Sequence, residues 1–132
     1  MAKFILSRIH SFQHAFSGSG YVFRTQRNIW IHALISLMVI LLAFWLNISL
    51  LDWALIILAM TIVWTAEFLN TALEALIDLV SPQVHPLAKV GKDVGAAAVL
   101  VAAFGSALVG ILVLGPLLWE KVHFWILNIG SY

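Results

Sequence analysis

The sequence predicts an all-α integral membrane protein, with three transmembrane helices and an N-terminal amphipathic helix on the membrane surface. Two observations predict this class: the high proportion of apolar residues and the presence of three long apolar segments. Of the 132 residues, 63% are hydrophobic and 10% are charged, and the mean hydropathy is +1.04. These values lie outside the range of soluble globular domains. The length fits a single membrane domain covering residues 1–132.

Each apolar segment is long enough to cross the hydrocarbon core of a bilayer, which takes roughly 20 residues of helix. The first segment covers about residues 29–46, in which His32 and Ser36 interrupt the apolar run. The second covers about 53–80, including a cytoplasmic extension after its apolar part. The third covers about 94–119 and carries no charged residue. Three spans would place the two termini on opposite sides of the membrane.

Before the first span, apolar residues recur with helical spacing over about residues 3–17. This pattern is typical of a helix that lies on a membrane surface. The alternative is an arm that packs against the protein without contacting substrate. The stretch "GSG" at 18–20 is expected to form a hinge or turn after this helix. The apolar positions, at i, i+4, i+7 and i+11, are Ile5, Ile9, Phe12 and Phe16.

Basic residues are distributed unevenly around the three spans. Six of them belong to the N-terminal segment and the predicted loop at 81–93, and one follows the third span. Because Lys and Arg in short flanking segments favour the cytoplasmic side, the N-terminus and this loop are expected in the cytoplasm, at a bacterial plasma membrane. The six are Lys3, Arg8, Arg24, Arg27, Lys89 and Lys92, and the single one is Lys121.

Composition also argues against several classes of function. The chain has no cysteine, so disulfides, thiolate catalysis and cysteine-ligated zinc are excluded. The N-terminal "MAKFILSRIHSF" lacks the apolar run and small-residue cleavage site of a secretory signal, so no cleaved signal peptide is expected. A net charge of +1 without a basic run predicts no nucleic-acid partner.

The second span continues into a stripe of polar residues within "EFLNTALEALID" at 67–78. At about 100° per residue these positions occupy an arc of about 100°, which is one face of a helix. Carboxylates at membrane depth cost free energy, so they normally face a bundle interior or a wet cavity and mark a functional site. The stripe consists of Glu67, Asn70, Thr71, Glu74 and Asp78.

The residues of this stripe leave three interpretations open. Carboxylate and amide oxygens are ligands for hard divalent cations, and magnesium usually binds through one or two carboxylates plus substrate phosphates. A stripe of carboxylates is also suited to conducting protons or ions. Finally, the same groups are suited to interhelical hydrogen bonds and ion pairs alone. In the last two cases the protein would be a non-enzymatic membrane oligomer, for which the small residues of the third helix, such as Gly91, Gly95 and Gly110, offer a packing surface.

The segment after the stripe, "SPQVHPLAKVGKDVG", favours the first interpretation. It brings His85, Lys92 and Asp93 to the same side of the membrane as the carboxylates. A lysine for phosphate oxygens beside a carboxylate suits phosphoryl transfer, which depends mainly on positioning and charge neutralisation. His85 is either a nucleotide contact or an ordinary loop histidine. Since the sequence contains no G-x-x-x-x-G-K-[ST], this chemistry would need an architecture other than the P-loop.

Taken together, "EFLNTALEALIDLVSPQVHPLAKVGKDVGAAAVLV" resembles the signature of the small prokaryotic diacylglycerol kinase family, which includes undecaprenol kinases. The signature reads E-x-L-N-[ST]-A-x-E-x-x-x-D, then a histidine, then a K-D pair before an alanine-rich helix. The flanking "SFQHAFSG" and "RTQRNIWIH" resemble the undecaprenol kinase branch, and the similarity covers about residues 5–116. The resemblance implies a three-span kinase, usually a homotrimer, that uses ATP and Mg²⁺ to phosphorylate a membrane lipid alcohol. The expected alcohol is undecaprenol, and diacylglycerol is the alternative.

The resemblance also implies roles for individual residues. Glu67 would be the general base that takes the proton of the lipid hydroxyl, and Glu74 would bind the metal. Nucleotide binding is expected of Gln26, Glu74, His85, Lys92 and Asp93, and support of the active site is expected of Asn70 and Asp78.

Gln26, in "RTQRN", departs from the family pattern. Well-known members have a glutamate there that binds metal together with the residue at the Glu74 position. An amide oxygen is still a magnesium ligand, but it carries less charge. The Gln26→Glu variant is therefore expected to need less magnesium for half-maximal activity.

Overall fold

The computed structural model describes residues 1–83 and 85–129. These residues form four α-helices, of which the last three are long and apolar enough to cross a membrane. The predicted fold class, an all-α membrane protein with an additional N-terminal helix, is thereby confirmed. The helices are α1 (Ala2–Thr25), α2 (Asn28–Leu46), α3 (Leu50–Val80) and α4 (Pro86–Ile129).

The N-terminal helix is longer than the sequence predicts. α1 continues through residues 18–20 to Thr25, so the expected hinge or turn at "GSG" is wrong. Glycine in a helix costs only about 1 kcal/mol relative to alanine, and Ser19 Oγ donates to the Ala15 carbonyl of the preceding turn at 3.0 Å. The apolar positions predicted from periodicity are exposed, including Phe12 at 63% and Phe16 at 76%, and so are the polar residues on the other faces of this helix.

The last helix begins earlier than predicted. α4 starts at Pro86, where a proline suits the first helical turn because its fixed φ is helical and its missing N–H is not needed. The loop predicted over residues 81–93 is therefore shorter than expected, because it ends at residue 85. Lys89, Lys92 and Asp93 lie on the first two turns of α4.

A short turn joins α2 to α3 at the opposite end of the bundle from that segment. Asn47 ends α2 in the left-handed conformation (φ 53°, ψ 52°), which asparagine tolerates better than most residues. Ser49 then caps α3: its hydroxyl accepts from the Asp52 N–H, and the Asp52 carboxylate accepts from the Ser49 N–H. This capping box satisfies two backbone N–H groups at the start of α3, which runs antiparallel to α2 after the turn.

The tightest helix pair is α3 with α4. Gly91 and Gly95 face α3 side chains closely, and Ser106 Oγ donates to the Ala59 carbonyl at 2.8 Å. Small residues permit such close approach of membrane helices. A partner for part of the small-residue stripe of α4 is therefore α3 of the same chain. α2 packs more loosely against this pair, which leaves space between α2 and the other two spans.

Candidate functional site

The junction between α1 and α2 directs Gln26 toward α3. Gln26 ends α1 with an extended backbone (φ −103°, ψ 117°), and α2 begins two residues later at Asn28. The junction is anchored on both sides by buried aliphatic residues, Val22 at 4% and Ile29 at 0% exposure. Gln26 is consequently fixed on a short break in the helix rather than on a free loop.

Aromatic side chains hold this junction against α3. The Phe23 ring lies 5.5 Å from the Trp30 ring and 5.8 Å from the Trp64 ring, measured between centroids. Trp30 Nε1 donates to the Phe23 carbonyl at 3.1 Å, and Trp64 Nε1 donates to Ser36 Oγ at 3.1 Å. Aromatic pairs of this kind contribute about 0.5–1.5 kcal/mol each beyond the area they bury. They keep α1, α2 and α3 in register around the site.

The first turn of the polar stripe, from Glu67 to Thr71 on α3, faces the interior of the helix bundle. Glu67, Asn70 and Thr71 are 2%, 8% and 3% exposed, whereas Glu74 is half-buried and Asp78 is exposed. Thr71 Oγ1 donates to the Glu67 carbonyl at 2.9 Å, so its hydroxyl is satisfied within the helix. The stripe thus runs from a buried carboxylate to a solvent-accessible one.

Two side-chain amides bind the Glu74 carboxylate, one on each oxygen. Gln26 Nε2 donates to Oε2 at 2.7 Å, across 48 residues of sequence. Asn70 Nδ2 donates to Oε1 at 3.0 Å. The structure therefore brings Gln26 and Glu74 together, as the sequence-based interpretation required of two residues sharing a metal site.

The other carboxylate of the site, Glu67, has no such partner. Its Oε1 makes no hydrogen bond within the described residues. The closest cationic or ring nitrogen is Nε2 of His32 on α2, at 3.4 Å. Leaving a buried carboxylate oxygen without a hydrogen-bond donor costs free energy. His32 is therefore of interest as a donor to Glu67.

Asn70 is held by the close approach of α4. A Cβ atom built on Gly95 would lie 2.3 Å from Asn70 Oδ1 and 3.3 Å from Leu73 Cδ2. Oδ1 itself has no hydrogen-bond partner within the described residues. Only a glycine at position 95 leaves room for the amide in its present orientation, which is the one that lets Nδ2 reach Glu74.

These groups line a cavity of about 310 Å³ between α2, α3 and α4. Its polar side chains come from α3, from the α1–α2 junction and from α2, while α4 supplies apolar ones. The polar lining residues are Gln26, Asn28, His32, Glu67, Asn70 and Glu74.

A larger cavity of about 490 Å³ adjoins this polar cavity. It follows the space between α2 and the α3–α4 pair toward Leu118, and its lining is almost entirely aliphatic. His32 and Ala103 belong to the walls of both cavities. A molecule with a polar head and an apolar chain would therefore find a place for each part on either side of His32.

The other residues assigned from the sequence lie beyond the polar cavity, at the end of α3 and the start of α4. Lys92 Nζ donates to Asp78 Oδ1 at 2.6 Å. Asp93 lies 3.9 Å from Lys89, one turn away on α4. Exposed His85 accepts the Leu87 N–H on Nδ1 at 3.2 Å and so contacts the start of α4. These side chains flank the cavity without lining it, and they form an exposed rim of mixed charge.

His32, like the exposed Asn28, lines the polar cavity but was not predicted as a site residue from the sequence. In the sequence it is one of two polar positions, with Ser36, within an apolar span. A signal was present, because polar residues at membrane depth normally face the bundle interior. The spacing of residues along the chain cannot predict that His32 lies against Glu67 on α3.

The donor set suits one magnesium ion shared with phosphate oxygens. Within residues 1–83 and 85–129, no group of three or more His, Asp or Glu side chains is arranged to hold a metal. Magnesium, however, usually binds through only one or two carboxylates together with substrate phosphates. Each Glu74 oxygen accepts one amide hydrogen and retains a second lone pair. The residues present fit such an ion when a nucleotide supplies the remaining ligands.

Fold and site together define a helical membrane protein with a buried carboxylate and an amide-bound carboxylate at a polar cavity that opens onto an apolar one. The chain belongs to the prokaryotic diacylglycerol kinase family, whose sequence model matches residues 13–114. The protein is thus a membrane-embedded lipid kinase that uses ATP. This confirms the family resemblance and the kinase activity expected from the sequence.

Three relatives illustrate the range of the family. An undecaprenol kinase of Bacillus subtilis (strain 168) is 39% identical over 106 residues, which are 80% of this chain and 86% of the relative. A diacylglycerol kinase of Synechocystis sp. is 44% identical over 110 residues, 82% of this chain but 63% of that longer protein. A diacylglycerol kinase of Escherichia coli (strain K12) is 30% identical over 120 residues, covering 86% and 93%.

Proposed function

We propose that this lipid kinase transfers the γ-phosphoryl group of ATP to the hydroxyl of undecaprenol. The observation that carries the proposal is the buried Glu67 carboxylate in the polar cavity, which lies 3.4 Å from His32 at the boundary with the apolar cavity. A lipid alcohol has its only reactive hydroxyl at such a boundary, with the chain on the apolar side. The Bacillus subtilis relative, named as an undecaprenol kinase, supports this acceptor.

Diacylglycerol is the second candidate acceptor. The Synechocystis relative, named as a diacylglycerol kinase, is similarly close to this chain in identity. Both lipids present a primary alcohol to the membrane interface. The aliphatic cavity beside His32 is compatible with an isoprenoid chain and with acyl chains.

In the proposed mechanism, Glu67 is the general base. Its carboxylate takes the proton of the lipid hydroxyl, and the hydroxyl oxygen forms a bond to the γ-phosphorus as the bond from that phosphorus to the ADP oxygen breaks. ADP leaves with the electron pair of the broken bond, and Glu67 returns its proton to water before the next turnover. Burial of Glu67 keeps water away from the reacting hydroxyl, which favours the lipid over water as acceptor.

Magnesium is the proposed cofactor, bound by Glu74 with Gln26 as a weaker second ligand. Bound there, the ion would neutralise charge on the phosphate oxygens of ATP. For Gln26 to act as a ligand, its amide must present oxygen rather than nitrogen to the ion, so the hydrogen bond to Glu74 would have to be replaced. Asn70 would keep its bond to Glu74 and hold the carboxylate in place.

The exposed rim residues are proposed to bind the nucleotide. Lys92 would offer its ammonium to phosphate oxygens, and Asp93 and His85 would contact the rest of ATP. Asp78 would orient Lys92, because the two side chains are hydrogen-bonded at 2.6 Å. In this arrangement ATP approaches from solvent, while the lipid approaches through the apolar cavity.

The proposed setting is the plasma membrane of a bacterium, with the N-terminus in the cytoplasm. Six basic residues on one side of the spans support this orientation. A homotrimer is the proposed assembly, and the apolar outer faces of α2, α3 and α4 would be shared between lipid and neighbouring subunits.

A lipid-panel kinase assay tests the proposal. Purified protein in mixed micelles is incubated with labelled ATP, magnesium and either undecaprenol or a diacylglycerol. Undecaprenol is expected to be the better acceptor by kcat/KM, and Glu67→Gln is expected to lower kcat by at least about 100-fold, because general base catalysis contributes about 10²–10⁴-fold. Glu120→Gln, which neutralises an exposed glutamate near the other end of α4, is the matched control.

Three results would count against this assignment. Absence of any labelled lipid would refute the kinase activity of this chain. A wild-type kcat in Glu67→Gln would refute the general base. A higher kcat/KM with diacylglycerol would exchange the first acceptor for the second.

A further inference from the structure

The Glu67 carboxylate lacks a partner that holds it in one orientation. Its side chain is 3% exposed, and Oε1 accepts no hydrogen bond within the described part of the chain. A general base must present one oxygen within about 3 Å of the proton it abstracts. An unrestrained carboxylate would rotate about its last side-chain bond and lose that geometry, so a second group is needed to fix it.

His32 is placed to be that group. Its Nε2 lies 3.4 Å from Glu67 Oε1, and its side chain is 16% exposed. The two residues come from different helices, α2 and α3, and both line the polar cavity. Hydrogen bonds of catalytic groups are often long before substrate binds and shorten in the reactive complex, so the present distance suits a contact that tightens during catalysis.

Of the three side-chain amides that line the cavity with His32, two are already engaged and the third, Asn28, is exposed. The side-chain amides of Gln26 and Asn70 both donate to Glu74. The segment of α4 that faces Glu67 contributes only apolar residues, including Val99 and Ala103, to the cavity wall. His32 is thus the side chain in contact with the free oxygen of Glu67.

We propose that His32 is a positioning residue for Glu67: its Nε2–H donates to Oε1 and thereby turns Oε2 toward the acceptor hydroxyl. This inference rests on the proposed role of Glu67 as general base. Because His32 also belongs to the wall of the apolar cavity, it aligns the base at the point where the lipid hydroxyl enters. A misplacement of about 1 Å in a reacting group costs about 10²-fold in rate.

Two substitutions and a control test this role. His32→Leu removes the donor but keeps a side chain of similar bulk, whereas His32→Gln keeps an N–H donor at similar reach. His14→Leu, the matched control, makes the same substitution at an exposed position of α1. Each variant is assayed with ATP and both undecaprenol and a diacylglycerol, and its folding is checked by size exclusion and thermal unfolding in detergent.

His32→Leu is expected to lower kcat about 10- to 100-fold with the KM for ATP unchanged within about twofold. His32→Gln is expected to recover most of the lost kcat, and His14→Leu to match wild type. Adding His32→Leu to Glu67→Gln should cause no further loss, because a residue that acts through Glu67 has nothing to position once the base is gone.

The inference is overturned by a wild-type kcat in His32→Leu, by equal losses in His32→Leu and His32→Gln, or by multiplied losses in the double variant. These results differ from a failure of the proposed function. If Glu67→Gln is as active as wild type, the general base is refuted and the positioning role falls with it. If Glu67→Gln is inactive while His32→Leu is fully active, the positioning role alone is refuted.

Discussion

Replacing Gly95 by alanine would place a methyl group against the amide of Asn70. The added Cβ would lie 2.3 Å from Asn70 Oδ1, 3.4 Å from its Cγ and 3.3 Å from Leu73 Cδ2. Since van der Waals contacts are made at about 3.5 Å, Oδ1 has to move by about 1 Å. Oδ1 and Nδ2 share one rigid plane, so the rotation that moves Oδ1 also moves Nδ2 away from Glu74 Oε1, which it now contacts at 3.0 Å.

The size of the effect follows from the bond that is lost. A hydrogen bond to a charged group contributes about 1.5–3 kcal/mol, which corresponds to about 10- to 150-fold in kcat/KM if the bond is needed in the transition state. Folding should be less affected, because alanine is favoured over glycine in a helix by about 1 kcal/mol. Gly95→Ala is therefore expected to lose activity while its unfolding temperature stays near that of wild type.

The assay combines lipid kinase kinetics in mixed micelles with thermal unfolding in detergent. Gly105→Ala is the matched control, because it makes the same substitution in the same helix at a site where a Cβ meets nothing within 4 Å. It should retain wild-type kcat/KM. The reasoning is refuted if Gly95→Ala keeps wild-type activity while Asn70→Ala is impaired, or if Gly95→Ala and Gly105→Ala lose activity equally.

Two further predictions concern the metal site and the lipid path. Gln26→Glu would bring a second carboxylate against Glu74 Oε2, where the amide nitrogen now lies at 2.7 Å. Half-maximal activity of this variant should therefore need less magnesium than that of wild type or of the exposed control Gln13→Glu. An unchanged or higher magnesium requirement would remove Gln26 from the metal site. Ala103→Leu would narrow the passage between the two cavities, whose walls share this residue. It should raise the KM for lipid several-fold and leave the KM for ATP unchanged. A lipid KM equal to that of the exposed control Ala97→Leu would show that the lipid does not use this passage.

Helical phase located much of the site before any tertiary information. The stripe of α3 was predicted to face the interior, and Glu67, Asn70 and Thr71 are buried there. This succeeded because membrane helices are regular and carboxylates are disfavoured toward lipid. The roles assigned to these residues remain proposals, which the variants described above test.

Two predictions made from single residue types were wrong, because the helices extend further than those residues suggest. The stretch at 18–20 was predicted to interrupt α1, yet the helix continues to Thr25, since glycine weakens a helix without ending it. Likewise, the charged residues near Lys92 were predicted in a loop but belong to α4, which begins at Pro86. Glycine, serine and proline at these places indicate where a helix is weak or begins, but they do not by themselves end it.

The sequence by itself determined the class of this protein, the approximate positions of its three spans and the polar face of α3, because hydropathy and helical phase are properties of short stretches of chain. Only the tertiary structure decided which residues meet across that face: Gln26 with Glu74, His32 with Glu67, and Gly95 with Asn70. Each of these pairs joins two different helices or a helix and the α1–α2 junction. Their distances depend on how closely and at what register the helices pack, which no periodicity within one helix encodes.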